Sequence, residues 1–220
     1  MKKLINFNFK TEWPVLILLL ALVALSFYFY SHSPAIVASH WNFRGEVDGY
    51  SSRAFASFFF PGLIIGIYLL FLILPNLDPK KERYPDFLKT YNVFRYAMVI
   101  VLAIIYLATG IYNIGYHINI GVIVAGTIGL LMIILGNYMG KIKNNWFVGI
   151  RTPWTLSSEN VWNKTHRVGG YLFMIFGLII MIAPFLPETI GLVLFFGWTV
   201  ILLVGTFAYS YWLYRQEKNK

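Results

Sequence analysis

Six apolar stretches alternate with polar segments along the chain. They fall at residues 13–30, 56–75, 91–112, 118–139, 169–183 (running on toward 186) and 189–213. Each approaches or exceeds the ~18–20 residues a helix needs to cross a hydrocarbon layer. Their apolar positions run on without alternation, unlike the ~10-residue strands of a membrane barrel. Helices also satisfy their own backbone polar groups where water is absent. The predicted fold class is therefore all-α: a polytopic transmembrane helical bundle of about six spans. Short turns at 113–117 and 184–188 make spans three and four, and five and six, antiparallel neighbours. The 76–90 connection is short and strongly charged. Two connections are too long to be turns, one at 31–55 and one at 140–168.

Composition fits this picture. Hydrophobic residues make up 58% of the chain and charged residues 12%, about half the roughly 25% charged fraction of soluble chains. The basic residues then set orientation. With the N-terminus inside, sixteen of the 18 Lys and Arg fall on inner segments, and only Arg44 and Arg53 on outer ones. Basic residues favour the cytoplasmic side, so both termini are expected there, with 31–55 outside and 140–168 inside. The net charge of +9 reads as topology and lipid-headgroup contact, not direct nucleic-acid binding. Lys2, Lys3 and Lys10 precede the first apolar stretch, but no small-residue cleavage pattern follows, so that stretch is expected to stay as the first span.

Few other features carry chemistry. The chain has no cysteine, which excludes disulfides and thiolate catalysis. The span interiors hold almost no ionisable side chains, with Glu12, Arg95 and Glu188 near span ends, which argues against a proton-coupled pump or ion pathway. Gly62 with Gly66, and Gly136 with Gly140, are spaced for close helix contact.

The outer connection carries His40, Trp41, Asn42, Arg44, Gly45, Glu46, Asp48, Gly49 and Tyr50. Gly45 and the Asp48–Gly49 pair suit tight turns, and the whole reads as a compact lid. His40, Glu46 and Asp48 suggest a metal set on composition alone, hydrogen bonding inside a folded loop accounts for the same polar residues, and Trp41 and Tyr50 favour an aromatic docking surface over a charge-only site. The inner connection carries Asn137, Lys143, Asn144, Gly149, Arg151, Thr152, Pro153, Trp154, Trp162, Thr165 and His166. Ser157 can cap a helix with Glu159 in its first turn, and Trp162, Thr165, His166 and Gly169 then share one face. Thr152–Pro153–Trp154 reads as a rigid turn. Two accounts compete for this stretch. One is an amphipathic surface helix with Trp154, Val161 and Trp162 toward the membrane. The other is binding of a protein or anionic group by Lys143, Arg151 and His166. Glu159, Thr165 and His166 could form a catalytic set, but no nucleophile or metalloprotease motif accompanies them.

The stretches SPAIVASHWNFRGEVDGY and GIRTPWTLSSENVWNKTHR carry a resemblance. Together they resemble the SdpI immunity-protein family, with a two-span region at 1–90 bearing the HWN…G…DGY motif and a four-span region at 91–220 bearing the inner motif. The resemblance implies a multi-pass protein of the bacterial plasma membrane that gives resistance to a secreted antimicrobial peptide. It further implies, as in some family members, sensing of that peptide and sequestration of a cytoplasmic repressor. The expected partners are thus membrane lipids, the peptide and the repressor, with no cofactor. A membrane enzyme or transporter with its polar site in the inner loop stands as the alternative.

Overall fold

The computed structural model describes residues 8–219; Lys2, Lys3 and Lys220 of the basic set lie outside them. The order is α1 (Phe9–His32), β1 (Ile36–Trp41), β2 (Val47–Ser52), α2 (Arg53–Leu77), α3 (Leu88–Asn113), α4 (Ile120–Met139), α5 (Pro153–Ser157), α6 (Glu159–Ile182) and α7 (Glu188–Lys218), with 3-10 turns at Lys81–Phe87 and Ala183–Phe185. Among the described residues, six helices are long and apolar enough to cross a membrane. One end of the bundle carries the β-hairpin and the other the 140–158 segment; we call them the hairpin end and the loop end.

The hairpin is an element the apolar pattern does not predict. Its strands pair antiparallel, with Ala38 opposite Tyr50 and His40 opposite Gly49, and with irregular register around His40. The turn spans Asn42–Glu46, where Gly45 adopts a φ of +76°. Asp48–Gly49, expected to turn, lies within β2. Gly49 is needed for another reason: a Cβ there would come within 2.8 Å of the His40 Cβ.

Helix α6 starts ten residues before the predicted span because its first turns are already buried. Val161, Trp162, Thr165 and His166 are fully enclosed. Its cap is Ser158, whose hydroxyl accepts from the Val161 N–H, one residue beyond the predicted Ser157. The surface-helix reading therefore fails, since Val161 and Trp162 face protein and Trp154 packs on Phe207 and Tyr211 of α7.

Helices α4 and α6 form the closest-packed pair. Gly129 and Gly136 of α4 face Gly177 and Gly170 of α6 in antiparallel order. A Cβ on Gly136 would lie 2.5 Å from the Gly170 carbonyl oxygen, and one on Gly129 would lie 2.5 Å from that of Gly177. Such backbone-to-backbone approach is open only to glycine, and small residues are what let membrane helices meet when lipid gives apolar side chains no reason to leave it. The expected Gly62–Gly66 contact is absent, since nothing lies within 4 Å of a Cβ at either. Gly140 is also loose, its nearest neighbour Arg167 Cα at 3.9 Å.

Candidate functional site

At the hairpin end, most motif residues build the hairpin and seat it. The Asn42 carboxamide accepts from the Arg44 and Glu46 N–H groups at 2.9 and 3.0 Å and donates to Glu46 Oε2 at 3.0 Å. Glu46 is thereby turned away from the His40–Asp48 pair, so the three do not converge as a ligand set. Gly45 rests on the start of α4, where a Cβ on Gly121 would sit 3.3 Å from the Gly45 Cα. Phe43 packs on Phe195 and Phe196, and Arg44 Nε reaches Glu188 Oε2 at 2.7 Å, which ties the tip to α7. Asn113 of α3 clamps β1 by exchanging two hydrogen bonds with the Ala38 backbone at 3.0 and 3.1 Å. What remains presented outward is the exposed set His40, Asp48, Tyr50 and Ile36, with Tyr50 67% exposed.

Beneath β1 lies a small cavity of about 30 Å³, room for a water molecule or two rather than for a ligand. Its walls come from α1 (Phe29, Ser33), α2 (Ala56, Ser57, Phe60), α3 (Tyr106, Thr109, Gly110, Asn113) and the strand (Val37, Ala38, Ser39, Trp41). Trp41 meets Tyr112 edge to face, and its indole N–H is buried with no acceptor.

At the loop end, backbone geometry consumes the motif. His166 stacks on Trp162 at 4.0 Å. Its Nε2 accepts from the Ile150 N–H at 2.9 Å, so the proton sits on Nδ1, which donates to the Trp162 carbonyl at 2.8 Å. Trp162 Nε1 donates to the Ile142 carbonyl at 2.8 Å. Gly149, at φ +118°, makes room for this; a Cβ there would fall 2.3 Å from His166 Nε2. Thr152 caps α5 in a capping box with Thr155, Pro153 opens that helix, and Thr152 Oγ1 donates to Ser210 of α7 at 3.0 Å. The predicted turn at Thr152–Pro153–Trp154 is thus a capped helix start. Asn144 donates to the Thr155 carbonyl and accepts from Lys80 Nζ.

Two expected roles fall away. His166 cannot act as base or anion ligand, because both ring nitrogens are committed to backbone and the side chain is fully buried. Glu159, Thr165 and His166 do not form a catalytic set either: Glu159 pairs with Arg83 at the surface, 2.7 Å away, and Thr165 is sealed inside. What the loop end presents is basic: Lys141, Arg151, Lys164 and Arg167 are exposed, with Lys143 half-buried beside them. Arg151 spends one N–H on the Trp146 carbonyl at 2.7 Å. Asn137, by contrast, is exposed on α4.

Sequence reading missed a third cluster. Glu12 and Arg95 do lie near helix ends, but they form a buried ion pair at 2.5 Å between α1 and α3. Tyr68 of α2 donates to Glu12 Oε2 at 2.8 Å, Tyr96 to Oε1 at 3.2 Å, and Arg95 Nη2 to the Tyr96 oxygen at 2.9 Å. The signal was present as opposite charges near the starts of two helices, the fourth residue of α1 and the eighth of α3, that enter from the same end.

Residues 141–210 match the SdpI/YfhL protein family and residues 16–65 match a domain of unknown function, DUF1648. The chain is 30% identical over 205 residues to the immunity protein SdpI of Bacillus subtilis (strain 168), an alignment covering 91% of this chain and 96% of that one. No solved structure matches. A likeness that runs through both the hairpin and the GIRTPWTL segment, and through nearly the whole of both chains, establishes that this multi-pass membrane protein belongs to the SdpI family.

Proposed function

We propose that the protein is an immunity protein of the bacterial plasma membrane, with its hairpin end outside and both termini in the cytoplasm, and that it protects its host from a secreted antimicrobial peptide recognised at the hairpin end. The observation that carries this reading is the full-length likeness to a protein named for immunity. The sixteen-to-two division of basic residues supports the orientation. The exposed Tyr50, His40 and Ile36 on a hairpin seated against α3, α4 and α7 support recognition there, since aromatic side chains are frequent binding hot spots. The test is expression in a sensitive host challenged with peptides encoded beside the gene. Survival is expected; killing unchanged by expression, with the protein shown to be inserted, overturns it.

A second function at the other end rests on a separate observation. With Trp162 and His166 enclosed, the basic residues Lys141, Lys143, Arg151, Lys164 and Arg167 stand out from a rigid base. We infer that this face docks an acidic surface of a cytoplasmic repressor and so links peptide sensing to transcription. The Arg151 guanidinium offers a planar fork suited to a carboxylate. Arg151→Ala is expected to abolish co-purification of the repressor from membranes at unchanged protein level. Recovery of no cytoplasmic protein by the unmodified chain, with inducing peptide present, sinks this reading and leaves immunity standing.

A further inference from the structure

The two outer edges of the hairpin differ. In an antiparallel pair, residues directly opposite exchange both backbone hydrogen bonds or neither, in alternation. The Arg53 N–H donates to the Ala35 carbonyl at 3.0 Å, so those two form a bonded pair. Counting along the regular register from there, Ile36–Ser52 is unbonded, Val37–Ser51 bonded and Ala38–Tyr50 unbonded. The Asn113 clamp agrees from the other side: both backbone groups of Ala38 turn away from β2 and are taken by the Asn113 carboxamide at 3.0 and 3.1 Å. It follows that the Tyr50 N–H and carbonyl and the Ser52 N–H turn away from β1, onto the outer edge of β2. The Ser52 carbonyl is spent in the first turn of α2, which Ser52 caps. The edge of β1 is therefore closed by α3, while β2 packs on β1 and on α2, the helix that follows it. Asp48, Tyr50 and Ser52 are exposed. Edge strands are commonly blunted by lysine, proline or a covering element; Val47–Ser52 contains neither lysine nor proline, and its one charge, Asp48, is paired with His40.

We propose that an extended segment of a bound peptide joins the hairpin as a third strand along β2, exchanging both backbone hydrogen bonds with Tyr50 and accepting one from the Ser52 N–H. The edge repeats its donors at two-residue spacing, about 6.6 Å, which is the repeat of an extended polypeptide. In strand addition the main chain supplies affinity and neighbouring side chains, here Tyr50, supply preference. This rests on the peptide-recognition reading of the hairpin end and gives that reading a place and a mode of binding.

The test uses the whole ¹⁵N-labelled protein in lipid nanodiscs. The probe is N-acetyl-Thr-Val-Thr-Val-Thr-amide, and its control is the same peptide N-methylated at its three central residues, which blocks both of its edges. Before addition, the Ser51 amide is expected to exchange slowly with solvent and the Tyr50 amide quickly. The probe is expected to shift the Tyr50 and Ser52 amide signals saturably and to slow exchange at Tyr50, and the control to do neither. Tyr50→Pro removes the outward N–H at a place where an edge strand accepts proline. It should bind the probe roughly two- to tenfold more weakly than Tyr50→Ala, which loses the same ring and keeps the N–H. Slow exchange at Ser51 reports that the hairpin is intact in both variants; should Tyr50→Pro lose it, the probe and its control on the unmodified protein decide alone. No saturable shift, an equal shift with the control, or shifts confined to Ala38 and Asn113 overturns the proposal. Slow exchange at Tyr50 before addition also overturns it, with a dimer in sedimentation identifying a second copy as the occupant. Protection of cells is read in parallel. If the unmodified protein gives none, the immunity reading fails and the probe result still decides the edge. Protection that Tyr50→Pro leaves unchanged overturns the edge as the place of recognition.

Discussion

Replacing Glu12 by leucine isolates a cation in the bundle. Arg95 is 0% exposed and Glu12 4%; the carboxylate takes the Arg95 Nη2 at 2.5 Å and the hydroxyls of Tyr68 and Tyr96. The guanidinium also lies over the Tyr96 ring at 4.8 Å and the Tyr68 ring at 5.6 Å, which replaces only part of what a carboxylate gives. Removing one partner of a buried pair costs about 3–5 kcal/mol, because the other is left uncompensated. Arg95 Nε and Nη1 already have no acceptor among the described residues, and the Tyr68 hydroxyl loses its own. At about 2–4 °C per kcal/mol for a chain of this length, the midpoint of heat-induced loss of monodisperse protein in detergent should fall by roughly 6–20 °C. Arg95→Met should cost less, since a buried carboxyl can bind a proton while a guanidinium cannot lose one. The double variant Glu12→Leu/Arg95→Met should return close to the parent, because an apolar replacement of a whole buried pair is often neutral or better. A Glu12→Leu midpoint within about 2 °C of the parent, or strictly additive effects in the double variant, refutes the pair as a structural key.

Three further outcomes follow from the geometry. Gly136→Ala should destabilise by about 1–3 kcal/mol through forced separation of α4 and α6, whereas Gly62→Ala, with open space at its Cβ, should be neutral or stabilising by up to about 1 kcal/mol; thermal midpoints of the two variants check the contrast. Gly149→Ala should cost about 1–3 kcal/mol in backbone strain alone and displace His166 from the Ile150 N–H, visible as loss of hydrogen-exchange protection at Ile150. In this cysteine-free chain, an impermeant thiol reagent applied to intact cells should label Tyr50→Cys and not Asn163→Cys, both exposed positions; the reverse pattern overturns the orientation.

The spans were legible because hydrocarbon imposes one rule, length of unbroken apolarity, and six segments obey it. The hairpin was not, because strands of six residues with an interrupted alternation (Val37 and Ala38 both inward) carry little periodic signal. The motif residues were legible as unusual, and hydrogen bonding within their own loops was legible as a role, but not which groups they bond. A histidine among tryptophans and arginines reads equally as ligand or brace, and only the positions of the Ile150 N–H and the Trp162 carbonyl show that His166 is a brace. The α4–α6 seam was misread for a similar reason. Spacing of four was weighed within one helix, while the contact uses glycines seven apart, at 129 and 136, matched by 170 and 177 on the partner helix. Glu12 and Arg95 were each noted and dismissed as end residues, since a span-by-span reading does not ask which spans share an end.

What selects this arrangement from the other ways six apolar helices can pack is small and local. Many of the bundle's large side chains, from Ile17 and Leu20 on α1 to Phe207 and Trp212 on α7, are exposed, and in a bilayer a leucine gains little by exchanging lipid for another helix. The discriminating contacts are therefore those lipid cannot imitate. Glycine backbones of α4 and α6 admit only each other, and the Glu12–Arg95–Tyr68 cluster joins α1, α2 and α3 through groups that hydrocarbon penalises when apart. The two sets are tied together by polar keys at the ends. Asn113 and Gly45 connect α3 to the hairpin and the hairpin to α4, and at the opposite end Thr152 with Ser210, and Ser158 with Glu217, hold α7 to the motif loop. Thus the residues that make the family's two motifs recognisable are, for the most part, the residues that specify how its helices assemble. The exposed remainder, Tyr50, His40 and Ile36 at one end and Arg151, Lys164 and Arg167 at the other, lies outside these helix-joining contacts; where it bonds, as His40 with Asp48 and Arg151 with the Trp146 carbonyl, it does so locally, and variants there should leave assembly intact.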